Sequence, residues 1–522
     1  MRKFAVLVCL AVLCVSSTPA QSFAARVLGT VKDTSDSVVP NAQVVMVNTA
    51  TNARAEVRSD AGGNYVAAQL TPGQYRIEVE AAGFKKFLRE GLTLAVDQQA
   101  RVDIVLSVGA VTESVIVTAN APLLEATTSS VGKVVDNKRI MALPLNTRNV
   151  YSLVFLTPGV TGSVGNNYNS LSYNVNGARG GFDTIIDGVT ASHPTVNGAA
   201  GITVFPSVDA IEEFKLMGAN YSAEFGRSMG SVLNVVFKSG GNQFHGSAYE
   251  FLRNSVLDAN NFFSRGRGVE LPNLKRSQFG GMASGPIKRD KTFFMVSYEG
   301  LRQKGFSSTT TSVPTLPERA GDFSQSLAAN AQVIRIFDPF STRANPAGGF
   351  IRDQFPNNII PAARLDPVAA NVLKYYPLPN TPGVVPTNRN NYYRTGASSL
   401  NTDNWDFRVD HNLTSTQKVF ARYSHRNTAN VPSIFWPQDI AIADGRQNED
   451  NHAKNAVAEY SNTLSPTTIL TARLGFARTL YVLDNQGLGF LPSALGLPST
   501  IDAAVDRQMF PRFNAGGYAS LG

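Results

Sequence analysis

Few residues in this chain have the type and spacing to do covalent chemistry. Both cysteines, Cys9 and Cys14, lie in the first fifteen residues, so the remainder offers no thiol nucleophile, disulfide framework or cysteine-held zinc. A zinc peptidase would need a His-x-x-Glu pair and a distant third ligand, because catalytic zinc takes three protein ligands and keeps one position open. The five histidines are His193, His245, His411, His425 and His452, and none has glutamate three residues later. Gly226-Arg-Ser228-Met-Gly230 matches Gly-x-Ser-x-Gly, the hydrolase nucleophile elbow. That motif needs a strand, a sharp turn and then a helix, whereas the residues after Ser228 read as a Val/Leu/Phe strand. The glycines of Gly177–Gly181 are followed by no Gly-Lys-Ser/Thr, so they read as a tight turn and not as a phosphate loop. No catalytic residue, metal or cofactor is expected.

The elements around these residues read as mainly β. Charged residues are 16% of the 522, against a usual ~25%. Gly (43) and Phe (30) are plentiful, and hydrophobic residues reach 43%. This is too apolar for a disordered chain and too poor in Lys and Glu for a helical bundle. Arg2 and Lys3 precede an apolar run from Phe4 to Val15, which ends in small residues around Ala20. A basic start, a short apolar segment and small residues at a cleavage point define a secretory signal peptide over 1–20. Twelve apolar residues are too few to cross a ~30 Å bilayer core as a helix. Cleavage removes two cations from a formal net charge of +8, and no Lys/Arg cluster suggests nucleic acid. No later run of 18 apolar residues predicts a transmembrane helix, but alternating barrel strands escape hydropathy averaging.

Residues 26–108 carry about seven short alternating runs between turn signals: Val27–Val31, Ala42–Asn48, Ala53–Ser59, Asn64–Ala67, Gly73–Glu80, Gly91–Val96 and Ala100–Leu106. Seven strands in eighty residues predict a β-sandwich. Gly29-Thr-Val-Lys-Asp, Val39-Pro-Asn-Ala-Gln-Val, Asp60-Ala-Gly-Gly-Asn-Tyr, Leu70-Thr-Pro-Gly-Gln-Tyr and Ala82-Gly-Phe resemble the carboxypeptidase regulatory-like domain. The resemblance implies a transthyretin-like, carbohydrate-binding-like sandwich without peptidase activity.

A linker over 109–124 holds Thr112, Glu113, Ser114, Val115, Ile116, Val117, Thr118 and Ala119. The segment resembles the TonB box of TonB-dependent transporters, and an extended segment of this kind can add as a strand to a partner's sheet edge. Four further segments resemble that family's plug, in its order. They are Val134–Asn149, Leu153–Gly159, Asn174–Val189 and Val208–Gly240. The third carries the plug signature, Arg179, Gly180, Asp187 and Gly188. The resemblance implies an α+β plug over 125–240.

From 243 to 522 the pattern changes to longer alternating strands, including Phe244–Arg253, Phe279–Gly285, Lys291–Leu301, Trp405–His411, Lys418–Arg426, Ala453–Asn462 and Thr467–Thr479. Trp405, Phe407 and Val409 share one face, with Asp406, Arg408 and Asp410 on the other. Strands with apolar residues outward and polar residues inward suit an antiparallel outer-membrane barrel. Long Asn/Pro/Gly-rich stretches, Ser307–Gln332 and Asp338–Thr402, read as extracellular loops. Asn242–Phe251, Gly285–Phe294 and Val409–Thr414 resemble segments of the Oar-like branch of the transporter family. About eight to ten strands are countable, against about 22 in plugged transporters. The sequence therefore reads as the N-terminal part of a barrel and a fragment of a longer protein.

The resemblance implies an outer-membrane location, outer-membrane lipid and TonB as partners, and TonB-dependent transport of a bulky substrate. An oligosaccharide is the first candidate. A glycan-binding adhesion protein anchored by its barrel and a protein-export channel are the alternatives.

Overall fold

The computed structural model describes residues 24–522 apart from 110–113, 119–131, 146, 165–170, 180–181, 193–201, 203, 219, 223, 227, 229, 267–269 and 466–467. The expected signal at 1–20 lies outside the described residues, as do Thr112, Glu113, Ala119 and Gly180.

Alternation sets the first unit. Val27 and Val31 of β1 (Ala25–Asp33), Tyr65 and Ala67 of β4 (Asn64–Leu70), and Tyr75, Ile77 and Val79 of β5 (Gly73–Glu80) all point into one core. Its other strands are β2 (Gln43–Asn48), β3 (Arg54–Arg58), β6 (Lys86–Leu94), β7 (Gln99–Arg101) and β8 (Ile104–Leu106). One sheet runs β4-β1-β7 with β8 also on β1; the other runs β3-β2-β5-β6 and ends on β9 (Ser114–Thr118). The run expected at Gly91–Val96 begins at Lys86, because Phe87 pairs with Val79, and a register shift lies beside Gly91 at φ +78°. The run expected at Ala100–Leu106 is cut at Val102, whose carbonyl turns aside to accept the Tyr65 hydroxyl at 2.7 Å. Gly29 permits that close approach: a Cβ there would stand 1.9 Å from the Val102 oxygen.

The second unit is a mixed five-stranded sheet. Its order is β10 (Gly132–Asp136), β16 (Ile211–Met217), β17 (Ser231–Phe237), β14 (Phe182–Ile186) and β15 (Val189–Thr190). A three-stranded sheet lies beside it, made of β11 (Val160–Val164), β12 (Leu171–Val175) and β13 (Ala178–Arg179). Within Val134–Asn149 a short helix covers Asn137–Ala142, capped by the Asp136 side chain, and Gly132–Asp136 before it is strand. Every residue of β14 and β17 is buried, which suits the near-continuous apolar run of β17, while β14 buries Asp183 and Thr184 along with its apolar residues. The core of this unit is continuous with side chains of the third: Phe214 and Leu233 share a cluster with Met282, Met295, Leu301 and Leu400.

The third unit is an antiparallel sheet of seven consecutive strands. They are β18 (His245–Asn254), β19 (Leu274–Lys288), β20 (Thr292–Thr311), β23 (Tyr392–Asn412), β24 (Gln417–Val431), β25 (Gln447–Ser465) and β26 (Thr468–Asn485). The two-residue strands β21 (Arg343–Ala344) and β22 (Phe350–Ile351) form a ladder in the long connection before β23. Even-numbered residues of β23 from Leu400 to Arg408 are buried, while Trp405, Phe407 and Val409 are exposed, as the alternation predicts. On that exposed face Phe279, Tyr298 and Trp405 form an aromatic row with ring centroids 6.1 and 4.3 Å apart. Such a row suits the edge of a bilayer.

The strands are longer than expected. Crossing needs ~9–11 residues, yet β20 has 20 and β23 has 21. Their polar ends, Ser307–Thr311 and Tyr392–Thr402, were expected as loop but stay paired, with Thr310 opposite Tyr393. Hydrophobic alternation cannot detect such extensions. The described barrel strands number seven, not eight to ten. Polar stretches such as 312–391 and 486–522 instead fold into short helices and bridges over an aromatic core of Tyr376, Tyr392, Phe435, Trp436 and Phe510.

Candidate functional site

The second unit sits against the inner face of the barrel strands, and among the described residues two ion-pair clusters fasten it there. The first is the tip of the β14–β15 hairpin. Asp187 and Gly188 both have positive φ, +46° and +80°, the geometry of a two-residue Asp-Gly hairpin turn. The turn aims the Asp187 carboxylate at the barrel wall. There it lies 3.1 Å from Arg408 Nη1 on β23 and 2.9 Å from Arg422 Nε on β24, with all three side chains almost wholly buried. The Phe237 amide also donates to Asp187 at 3.2 Å. Each arginine is in turn held by barrel groups. Arg408 makes a bidentate pair with Asp410, both contacts 2.9 Å. Arg422 donates to Ser424 at 2.9 Å and Asn455 at 2.5 Å. Next along the wall, Asn455 donates to the Thr190 carbonyl at 3.2 Å and Arg473 to the Gly188 carbonyl at 3.3 Å. The hairpin tip is therefore gripped by four consecutive barrel strands.

The second fastening centres on Arg148, whose φ of +48° turns its side chain out just before the 3-10 helix capped by Asn149. Its guanidinium donates to Asp209 at 2.6 Å and stacks over Tyr249 and Phe251 of β18, 4.4 and 4.3 Å from the ring centroids. Ser247 of the same strand donates to Asp209 at 2.9 Å, and the Tyr249 hydroxyl donates to Glu299 of β20 at 2.7 Å. The two fastenings grip opposite ends of the described barrel sheet.

A third contact joins the sandwich to β16. The Val96 amide donates to Glu213, and Lys215 Nζ lies 3.4 Å from the Asp97 carboxylate. Burial pushes the Glu213 carboxyl up to about 8, with the Val96 amide opposing, Glu212 and Asp136 adding to the rise, and Lys215 opposing. Between its ordinary 4.5 and 8 the folded form holds a proton that the unfolded form lacks, so stability falls as pH rises through that window. Glu213→Gln is expected to flatten this part of the pH profile, read as thermal unfolding of the purified chain at pH 5 and pH 9. An equal slope in the variant would contradict the assignment.

The sandwich also meets the short-turn end of the barrel. Asn52 and Asn242 donate to Asp290 at 3.0 and 2.7 Å, in the turn between β19 and β20. The long connections with the aromatic core lie at the opposite end of the same strands.

Of the residues singled out in the sequence, Asp187 and Gly188 form the first fastening. Arg179 lies in β13, paired across to Asn174; of the tight turn expected at Gly177–Gly181, among the described residues only Gly177 turns, with Asn176 before it, and Ala178–Arg179 is strand. Ser114 to Thr118 form β9, in parallel pairing with β6 from Lys86↔Ser114 to Glu90↔Thr118. Ser228 donates to the Ser231 carbonyl at 2.5 Å, and the following residues are strand, not helix. Arg148, Asp209, Arg408, Arg422 and Glu213 were given no role by sequence reasoning. The alternation of β23 did place Arg408 on the polar face; what it could not supply was the partner.

Comparison with known proteins matches residues 236–522 to the family described as outer membrane beta barrel domain, and 26–107 to the carboxypeptidase regulatory-like domain. A curated relative, the TonB-dependent transporter Oar of Myxococcus xanthus, is 30% identical over 316 residues, covering 57% of this chain and 28% of that protein. The chain thus spans little more than a quarter of that relative's length. Among solved structures, the outer membrane transporter YddB of Escherichia coli overlaps 68% of this chain and 40% of its own at 12% identity and TM-score 0.41. The ferric enterobactin receptor of Pseudomonas aeruginosa overlaps 67% and 41%, at 13% identity and TM-score 0.38.

Proposed function

Since the chain belongs to the outer-membrane β-barrel family, we propose that it carries the coupling segment, the plug and the first barrel strands of a TonB-dependent transporter. The observation that carries this reading is the buried grip of the barrel on the Asp187–Gly188 hairpin. A second folded unit held inside a membrane-facing sheet by ion pairs is what a plugged pore requires. In this reading 1–20 is a signal peptide, 26–108 a periplasmic sandwich, 109–124 the coupling linker, 125–240 the plug and 243–522 barrel.

Substrate binds from outside, over the long connections and the plug. TonB, driven by the inner-membrane proton gradient, adds a strand to Thr112–Ala119 and pulls. The first plug element after the linker is β10, an edge strand held to β16 by five residue pairs. An edge strand can leave without disturbing the strands beyond its neighbour, so tension loosens the plug from that side. Nothing covalent happens to the substrate. A bulky substrate, with oligosaccharide first, is supported by the extent of the outer connections and by the carbohydrate-binding-like sandwich.

The experiment is uptake profiling of a deletion strain on defined carbon and iron sources. Loss of uptake of one bulky solute is expected, with the same loss in the parent strain when a protonophore collapses the gradient. Uptake that persists without a gradient would contradict the proposal.

A further inference from the structure

We propose that the sandwich presents the coupling segment as a ready-made edge strand, onto which TonB adds without the segment leaving the sandwich. This rests on the reading of Thr112–Ala119 as the docking segment. In the structure Ser114–Thr118 is not a loose tether: it is β9, the last strand of the sheet β3-β2-β5-β6-β9. Five consecutive residues pair with Lys86–Glu90 in parallel register. Among the described residues no strand lies on the other side of β9.

A strand has two hydrogen-bonding edges. In a parallel pair, alternate residues turn their N–H and C=O towards the neighbour, and the residues between them turn theirs away. Pairing with β6 therefore occupies one edge of β9, and among the described residues the other edge carries no strand and is available for strand addition. Ordering a free segment costs ~1–2 kcal/mol of backbone entropy per residue. With five residues already extended, that cost is met before the partner arrives, and preorganisation of this kind raises affinity. The occupant that fits is an extended strand of the coupling protein. It would become a sixth strand of the sheet, and the pull it exerts would be felt by both the sandwich and the linker to the plug.

The test is a staple across β6 and β9 in the full chain, with Cys9 and Cys14 replaced by serine. Leu88→Cys with Ile116→Cys joins directly paired positions, and Glu90→Cys with Thr118→Cys is a second pair two residues along. A disulfide between paired side chains lies over the face of the sheet and leaves the outer edge clear. The probe is the purified C-terminal domain of TonB. The oxidised chains are expected to bind it as tightly as the reduced chains, within about twofold, and no worse than the unstapled chain. A loss of tenfold or more on oxidation, restored by reductant, would overturn the proposal, since the segment must then leave the sandwich to dock. Failure of both pairs to oxidise in the folded chain would also overturn it. If the unstapled chain itself binds no better than one lacking residues 112–119, the docking-segment reading fails, and the inference with it.

Discussion

Asp187→Ala is expected to loosen the plug from the barrel by about 3–5 kcal/mol, the usual penalty for removing one partner of a buried ion pair. The size follows from what is left behind. Arg408 and Arg422 are at most 2% exposed, and each directs a guanidinium nitrogen at Asp187. Without the carboxylate two cations face each other across a dry seam. Asp410 still neutralises Arg408 through two direct contacts, whereas Arg422 keeps uncharged groups in direct contact, Ser424, Asn455 and the Ile186 carbonyl, and feels the Asp406 carboxylate only across Ser424. The damage should therefore fall mainly on Arg422. Adding Arg422→Met to Asp187→Ala is expected to recover much of the loss, because an apolar replacement of a whole buried pair is often neutral. Limited proteolysis of the plug across a urea gradient reads the effect. An unchanged midpoint in Asp187→Ala would mean that this seam does not hold the plug.

Arg148→Ala is expected to cost about 2–4 kcal/mol at the other fastening, since a buried charge pair and two cation–π contacts are lost together. Asp209, 3% exposed, would keep the Ser247 hydroxyl but lose the cation in direct contact with it, leaving the more distant Lys238. Arg148→Lys separates the contributions. A lysine can approach Asp209, yet it cannot lay a planar guanidinium on Tyr249 and Phe251. The lysine variant should therefore recover part of the midpoint and not all of it. The two fastenings contact different barrel strands and share no partner, so their effects should add within about 0.5 kcal/mol. Strong coupling between Asp187→Ala and Arg148→Ala would show that the plug docks as one rigid lid instead of through separable anchors.

Much of this molecule was legible before its structure. The sandwich strands showed because one face of each is buried, so polarity alternates residue by residue, as in Gly73–Glu80. The barrel strands showed for the complementary reason, with Trp405, Phe407 and Val409 exposed on one face and buried polar residues on the other. Their full lengths were hidden, because a stretch such as Ser307–Thr311 is polar on both faces and only the backbone ladder continues. Strands β14 and β17 of the second unit, buried on both faces, have no alternation to read; the Val/Leu/Phe run marked β17, and motif resemblance marked β14. The fastenings were half visible. Asp187-Gly188 announces a turn, and Arg408 announces a polar barrel face, but their meeting joins positions 221 residues apart in the chain. The pairing of Ser114–Thr118 with β6 was equally hidden, since a short β-prone segment reads the same whether it stands alone or lies on a sheet.

The central claim is that force enters through Thr112–Ala119 and is spent on the plug. Its most direct measurement compares energised uptake by cells carrying the intact gene with uptake by cells lacking only residues 112–119, at matched levels of folded barrel in the outer membrane. The account predicts that uptake falls to that of the full deletion strain while barrel assembly is unchanged. Uptake at the intact level in the shortened chain would contradict it.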